Sequence, residues 1–93
     1  MPKPEASEAA LLRLIAAIIA DETGASRPRR LLRVTRAAEV PGWDSLSHGR
    51  IVLALEDRLG VTIDIARTYE FEDLGALVDY LRDLEATRAP PDV

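Results

Sequence analysis

Apolar residues recur at helical spacing in three stretches of this chain, and each stretch is followed by a break. Leu11, Leu14, Ile15, Ile18 and Ile19 fall at i, i+3, i+4, i+7 and i+8, one stripe on a helix from about Ser7 to about Thr23. Ser7 suits the N-cap, Glu8 suits the positive end of the helix dipole, and Gly24 supplies the stop. A second helix runs from Asp44 or Ser45 to Leu59, with Gly60 as its stop. Ile51, Val52, Leu55 and Leu59 form its core stripe. Leu46, Gly49, Arg50, Leu53 and Asp57 form another stripe on the same helix. Its two leucines are not needed by the first stripe, and an apolar pair among charges predicts a surface that meets a partner. The last helix starts near Glu72 or Asp73 and carries Leu74, Leu77, Val78 and Leu81 toward the core.

The connecting segments are as informative. Ala25 to Trp43 is a long connection broken by Pro28 and Pro41-Gly42, with Leu31, Leu32 and Val34 expected to turn inward. Connections of this length are uncommon and are either functional or loosely ordered. Val61 to Ile65 alternates like a strand, but no other segment offers a pairing strand. It reads as an extended loop that anchors Ile63 or Ile65, followed by a short helical turn over Ala66 to Glu70. Residues 1–6 and 85–93 contain prolines and lack periodicity, so both are expected to be flexible ends around one domain at residues 7–84. The predicted architecture is all-α: a four-helix bundle of three main helices and one short helix, with a long first loop.

Composition narrows the function. At 93 residues the chain holds one domain with a thin core, and 47% hydrophobic residues exclude a disordered polymer. There is no cysteine, so any thiol chemistry must come from an added group. No apolar run is long enough to span a bilayer and no secretory pattern is evident, so no membrane association and a cytoplasmic location are expected. The net charge of −4 is unevenly spread. Residues 1–43 carry seven basic and five acidic side chains, a balance of +2; residues 44–93 carry five and eleven, a balance of −6. The acidic half argues against nucleic acid and for basic protein partners.

Candidate chemistry gathers at Pro41-Gly42-Trp43-Asp44-Ser45-Leu46, where loop becomes helix. Asp44 is a good N-cap that would present the Ser45 hydroxyl to solvent. Asp44, Ser45 and His48 invite a hydrolase reading, but side chains three apart on a helix are neighbours by geometry alone. No Gly-x-Ser-x-Gly elbow or oxyanion hole accompanies them, so the chain reads as non-enzymatic. His48 is expected to be partly exposed, and Trp43 to cap the core. Phe71 and Tyr80 are expected at the core or its edge. Arg27, Arg29, Arg30, Arg33 and Arg36 read as a solvated loop, or else as a partner contact.

Gly42-Trp43-Asp44-Ser45-Leu46, the run Ile51 to Val61 and then Ile63 resemble the second-helix block of acyl carrier proteins. Phe71-Glu72-Asp73-Leu74 through Leu77-Val78-Asp79-Tyr80-Leu81 resembles the family's last helix. The resemblance covers roughly Ala9 to Leu84. It implies a phosphopantetheine-binding carrier domain for acyl, aminoacyl or peptidyl cargo. Phosphopantetheine from coenzyme A would be attached to Ser45 by a phosphopantetheinyl transferase, with Asp44 and Leu46 flanking the attachment point. The cargo would travel as a thioester between a loading ligase and a downstream transferase or synthase.

The resemblance also makes Leu46, Gly49, Arg50, Leu53 and Asp57 the recognition surface of a carrier expected to be monomeric. Gly49 stands where fatty-acid carriers usually have an apolar residue, Arg50 where they have an acid, and the first loop is basic rather than acidic. These departures imply a pathway outside housekeeping fatty acid synthesis. The alternative from the residues alone is a small helical adaptor that binds a protein through Leu46 and Leu53 and bears no prosthetic arm.

Overall fold

A computed structural model of the chain describes residues 7–24 and 27–87. The flexible N-terminus expected at residues 1–6, and residues 88–93 of the tail expected at 85–93, lie outside the described residues. Four α-helices follow one another: α1 at Glu8–Thr23, α2 at Ser45–Leu59, α3 at Ile65–Thr68 and α4 at Leu74–Thr87. No strand occurs among the described residues, as the all-α reading requires.

The helix ends follow from local chemistry. The Ser7 side chain accepts from the Ala10 N–H at 3.1 Å, and Gly24 closes α1 in the left-handed conformation. Asp44 caps α2, and Gly60 ends it in the same way as Gly24. Helix α4 continues through Thr87, past the boundary expected at Leu84. Its last turns keep Leu84 partly packed on the core.

Helix α1 packs against both α2 and α4. Leu11 and Ile15 of α1, Ile51 and Leu55 of α2, and Leu74, Val78 and Leu81 of α4 are almost completely buried. Every residue of the α4 stripe is in the core, and so are Ile51, Val52 and Leu55 of α2. Leu14 and Leu59 sit at its margin. Each fully buried aliphatic side chain contributes about 1.5–3 kcal/mol relative to exposure.

The segment after Gly60 is extended, as its alternation suggested. Ile63 is its buried anchor, whereas Ile65 starts α3 and is 40% exposed. The missing partner strand is replaced by side chains. The Ile63 N–H donates to Glu56 Oε2 at 2.6 Å and the Asp64 N–H to the Tyr80 hydroxyl at 2.9 Å. These bonds tie the stretch to α2 and α4 and satisfy amides that a lone strand would leave open.

The first loop departs most from expectation. Leu31 is buried, but Leu32 and Val34 are 51% and 69% exposed. A turn closes between Leu32 and Thr35: Thr35 N–H donates to the Leu32 carbonyl, and Leu32 N–H to the Thr35 hydroxyl. Only one of the adjacent leucines can then face inward, and Val34 falls on the turn's outer side. Val40 takes the remaining core seat, after a short 3₁₀ turn at Ala37–Glu39.

Arg33, expected in a solvated run, is a structural clasp. Its guanidinium donates to Glu8 of α1 at 2.9 Å, to Asp79 of α4 at 2.5 Å and to the Gly75 carbonyl. Its own carbonyl and that of Thr35 accept the N–H groups of Gly75 and Leu74. The loop thereby satisfies the open amides at the start of α4. A Cβ at Gly75 would lie 2.9 Å from the Arg33 side chain, which would then have to shift.

The two faces of α2 give a direct check. Leu55→Ala should destabilise the domain by about 2–5 kcal/mol in urea unfolding. Leu53→Ala, on the exposed stripe, should stay within about 0.5 kcal/mol of the parent.

Candidate functional site

The junction of the long loop with α2 is a set of interlocked hydrogen bonds. Asp44 Oδ1 accepts from the Ser47 N–H at 2.9 Å, and the Asp44 N–H donates to Ser47 Oγ at 2.8 Å, a reciprocal capping box. The Ser47 hydroxyl donates in turn to the Gly42 carbonyl at 2.7 Å. The Ser47 N–H, ahead of other contacts, holds the Asp44 carboxyl below the usual carboxylate range. Gly42 has φ +87°, in the left-handed region, and a Cβ on it would collide with the Thr23 side chain at the end of α1. The junction is therefore braced against α1 through a glycine that no other residue can replace without strain.

Two serines sit here with different fates. Ser47 is consumed by capping. Ser45, the first residue of α2, is exposed, and its hydroxyl has no hydrogen-bond partner among the described residues. Leu46, beside it, is 69% exposed.

Behind the junction, His48 is buried, contrary to the expectation of a partly exposed position. Trp43 Nε1 lies 3.0 Å from His48 Nδ1, and His48 Nε2 lies 2.7 Å from Thr68 Oγ1. An indole nitrogen can only donate, so Nδ1 must accept and the ring proton must sit on Nε2. The imidazole then donates to Thr68, whose own hydroxyl donates to the Ile65 carbonyl at 2.6 Å. The Tyr69 ring packs on the imidazole at a centroid distance of 4.4 Å. This relay joins the loop, α2 and α3. It lines a cavity of about 40 Å³ that also touches Ile51, Leu55, Phe71 and Asp73, with space for a few waters at most. Burial pushes the His48 pKa down.

The second stripe of α2 is exposed as its spacing suggested. Leu53 is 66% exposed, Arg50 and Asp57 are exposed, and Gly49 is half-buried with open space where a Cβ would go. Arg50 reaches Glu22 of α1 only at 3.9 Å, so it stays available to solvent. Leu46, Gly49, Arg50, Leu53 and Asp57 thus form one accessible strip beginning one residue after Ser45. The Trp43–His48–Thr68 relay was not read from the sequence. The spacing of Trp43 and His48 hints at it, but Thr68 lies 20 residues away from His48 with no local signal.

These features define a small helical domain whose second long helix starts at a rigid junction with one exposed hydroxyl, beside an exposed and partly apolar strip. A family model for the phosphopantetheine attachment site matches residues 13–81. The chain belongs to this family, and its cofactor is covalently bound phosphopantetheine. It is a phosphopantetheine-carrying carrier protein, and carrier domains of this kind work with a phosphopantetheinyl transferase and partner enzymes. Neither a curated protein nor a solved structure matches significantly. No described helix is long and apolar enough to cross a membrane.

Two measurements probe the junction. A histidine whose folded pKa is depressed binds its proton more readily unfolded, so stability is full above about pH 6.5 and declines as pH falls below it. The melting temperature should therefore drop between pH 7.5 and pH 5.5, and His48→Gln should flatten that slope. Gly42→Ala should lower stability by more than about 1 kcal/mol, through the left-handed backbone and the Thr23 collision, in thermal or urea unfolding.

Proposed function

We propose that Ser45 is the attachment residue for phosphopantetheine, and that the domain passes thioester cargo from a loading ligase to a downstream transferase or synthase. The observation that carries this reading is the contrast between the two serines: Ser45 is exposed with an unengaged hydroxyl, while Ser47 is committed to the cap. The residues around Ser45 suit the group. A phosphodiester on the first residue of a 15-residue helix lies at the positive end of its dipole. Asp44 fixes the turn, and Leu46 gives the base of the attachment point an apolar flank. Once attached, phosphopantetheine supplies a terminal thiol that holds cargo as a thioester.

No described side chain hydrogen-bonds to Ser45 Oγ as a general base would. Both nitrogens of His48 are occupied, and the Asp44 carboxyl is held by Ser47. The transferase must therefore remove the Ser45 proton as the serine oxygen bonds to the pantetheine-bearing phosphorus of coenzyme A and adenosine 3′,5′-bisphosphate leaves. The cavity beside His48 is too small for a long acyl chain, which supports cargo selection by the partner enzymes. Gly49, Arg50 and the basic first loop support service outside housekeeping fatty acid synthesis.

An armless adaptor would use the same exposed Leu46 and Leu53, and the experiment separates the two readings. Incubation with coenzyme A and a broad-specificity phosphopantetheinyl transferase should add the mass of one phosphopantetheine in intact mass spectrometry. Ser45→Ala should abolish the gain and Ser47→Ala should retain it. A gain that survives Ser45→Ala, or none in the parent protein, would overturn the assignment.

A further inference from the structure

The arginine-rich loop does more than connect helices. Between it and α1 runs an open groove of about 640 Å³, whose walls include Leu12, Arg13 and Ala16 on one side and Arg29, Arg30 and Leu32 on the other. A second depression of about 380 Å³ shares Arg29 with the first and continues past Ala20 and Arg27 to Pro41 and Gly42. The α1 residues along both recur every three or four positions, so they form one face of that helix. The trough follows α1 and ends at the glycine whose carbonyl accepts the Ser47 hydroxyl.

Its charge is unbalanced. Arg13, Arg27, Arg29 and Arg30 are exposed and form no ion pair among the described residues. Arg33, from the same run, is satisfied by Glu8 and Asp79. Four guanidinium groups with no ion pair among the described residues thus line the two adjoining depressions, in a chain whose net charge is −4. Exposed Leu32 adds an apolar contact at its rim. Guanidinium groups pair well with carboxylates, and the two depressions spread four of them along one face of α1.

We propose that this trough docks an acidic segment of a partner protein, one that carries carboxylates for the arginines and at least one large apolar side chain for the groove. None of Ser45, Leu46, Gly49, Arg50, Leu53 and Asp57 lines it. The chain therefore has two separate docking surfaces of different character, and a partner held in the trough leaves α2 free for a second one. The inference does not depend on whether Ser45 bears a group.

The test is a titration of ¹⁵N-labelled full-length protein with a synthetic peptide of glutamates carrying leucines at helical spacing. Amide shifts should concentrate at Leu12 to Ala16 and Arg27 to Leu32. The combined variants Arg13→Glu, Arg29→Glu and Arg30→Glu should weaken binding roughly tenfold or more, and added salt should weaken it too. The Arg→Gln set serves if the Glu set unfolds. Leu53→Asp should leave binding unchanged, and the arginine variants should still accept phosphopantetheine if the parent does.

Absence of shifts, shifts confined to α2, or equal binding by the glutamine counterpart of the peptide would overturn the proposal. So would the same shifts with pyrophosphate, which would mean a small-anion site. Stronger binding to phosphatidylglycerol vesicles than to the peptide would mean a lipid surface instead.

Discussion

The buried imidazole of His48 is the constraint on which the working end of this domain depends. A buried ring with two nitrogens costs stability unless both find partners. Trp43 can only donate, so it fixes the acceptor nitrogen, and Thr68 receives from the other. The Thr68 hydroxyl passes its own proton to a carbonyl, so every polar group in the relay is satisfied. The relay locks the end of the long loop, the first turn of α2 and the short α3 together. The capping box of Asp44 and Ser47 and the packing of Gly42 on Thr23 then orient a helix start that is already held in place. Ser45 is left exposed, while Ser47 beside it is engaged by Asp44 and Gly42.

The long loop is an organised element with two roles. Arg33 binds it to α1 and α4, and the carbonyls of Arg33 and Thr35 complete the first turn of α4. Arg27, Arg29 and Arg30 line the depressions along α1. On α2, Leu46 and Leu53 stand among mixed charges. A carrier has to meet several proteins in turn, and surfaces of different charge and polarity let it discriminate among them without a change of fold.

Much of this was legible in the chain itself. The three apolar stripes placed the main helices, and Ser7, Gly24, Asp44 and Gly60 marked their ends, because capping is a local interaction between residues close in sequence. The exposed second stripe of α2 followed from the same periodicity. The loop was less legible, since an extended chain without a period gives no rule for which side faces inward. Leu31 and Leu32 are indistinguishable by pattern, and only the turn that closes on Thr35 decides between them. Arg33 looks like any other arginine of its run, because Asp79 is 46 residues away.

The sequence by itself determined the three main helices, the caps of the first two and the face of α2 turned to solvent, all through contacts spanning a few residues. Only the tertiary structure decided that His48 is buried and that Arg33 is a clasp, while Arg27, Arg29 and Arg30 form no ion pair among the described residues. Those outcomes depend on which polar groups meet across the packed helices. Hydrogen-bond and ion-pair partners far apart in sequence leave no periodic trace in it.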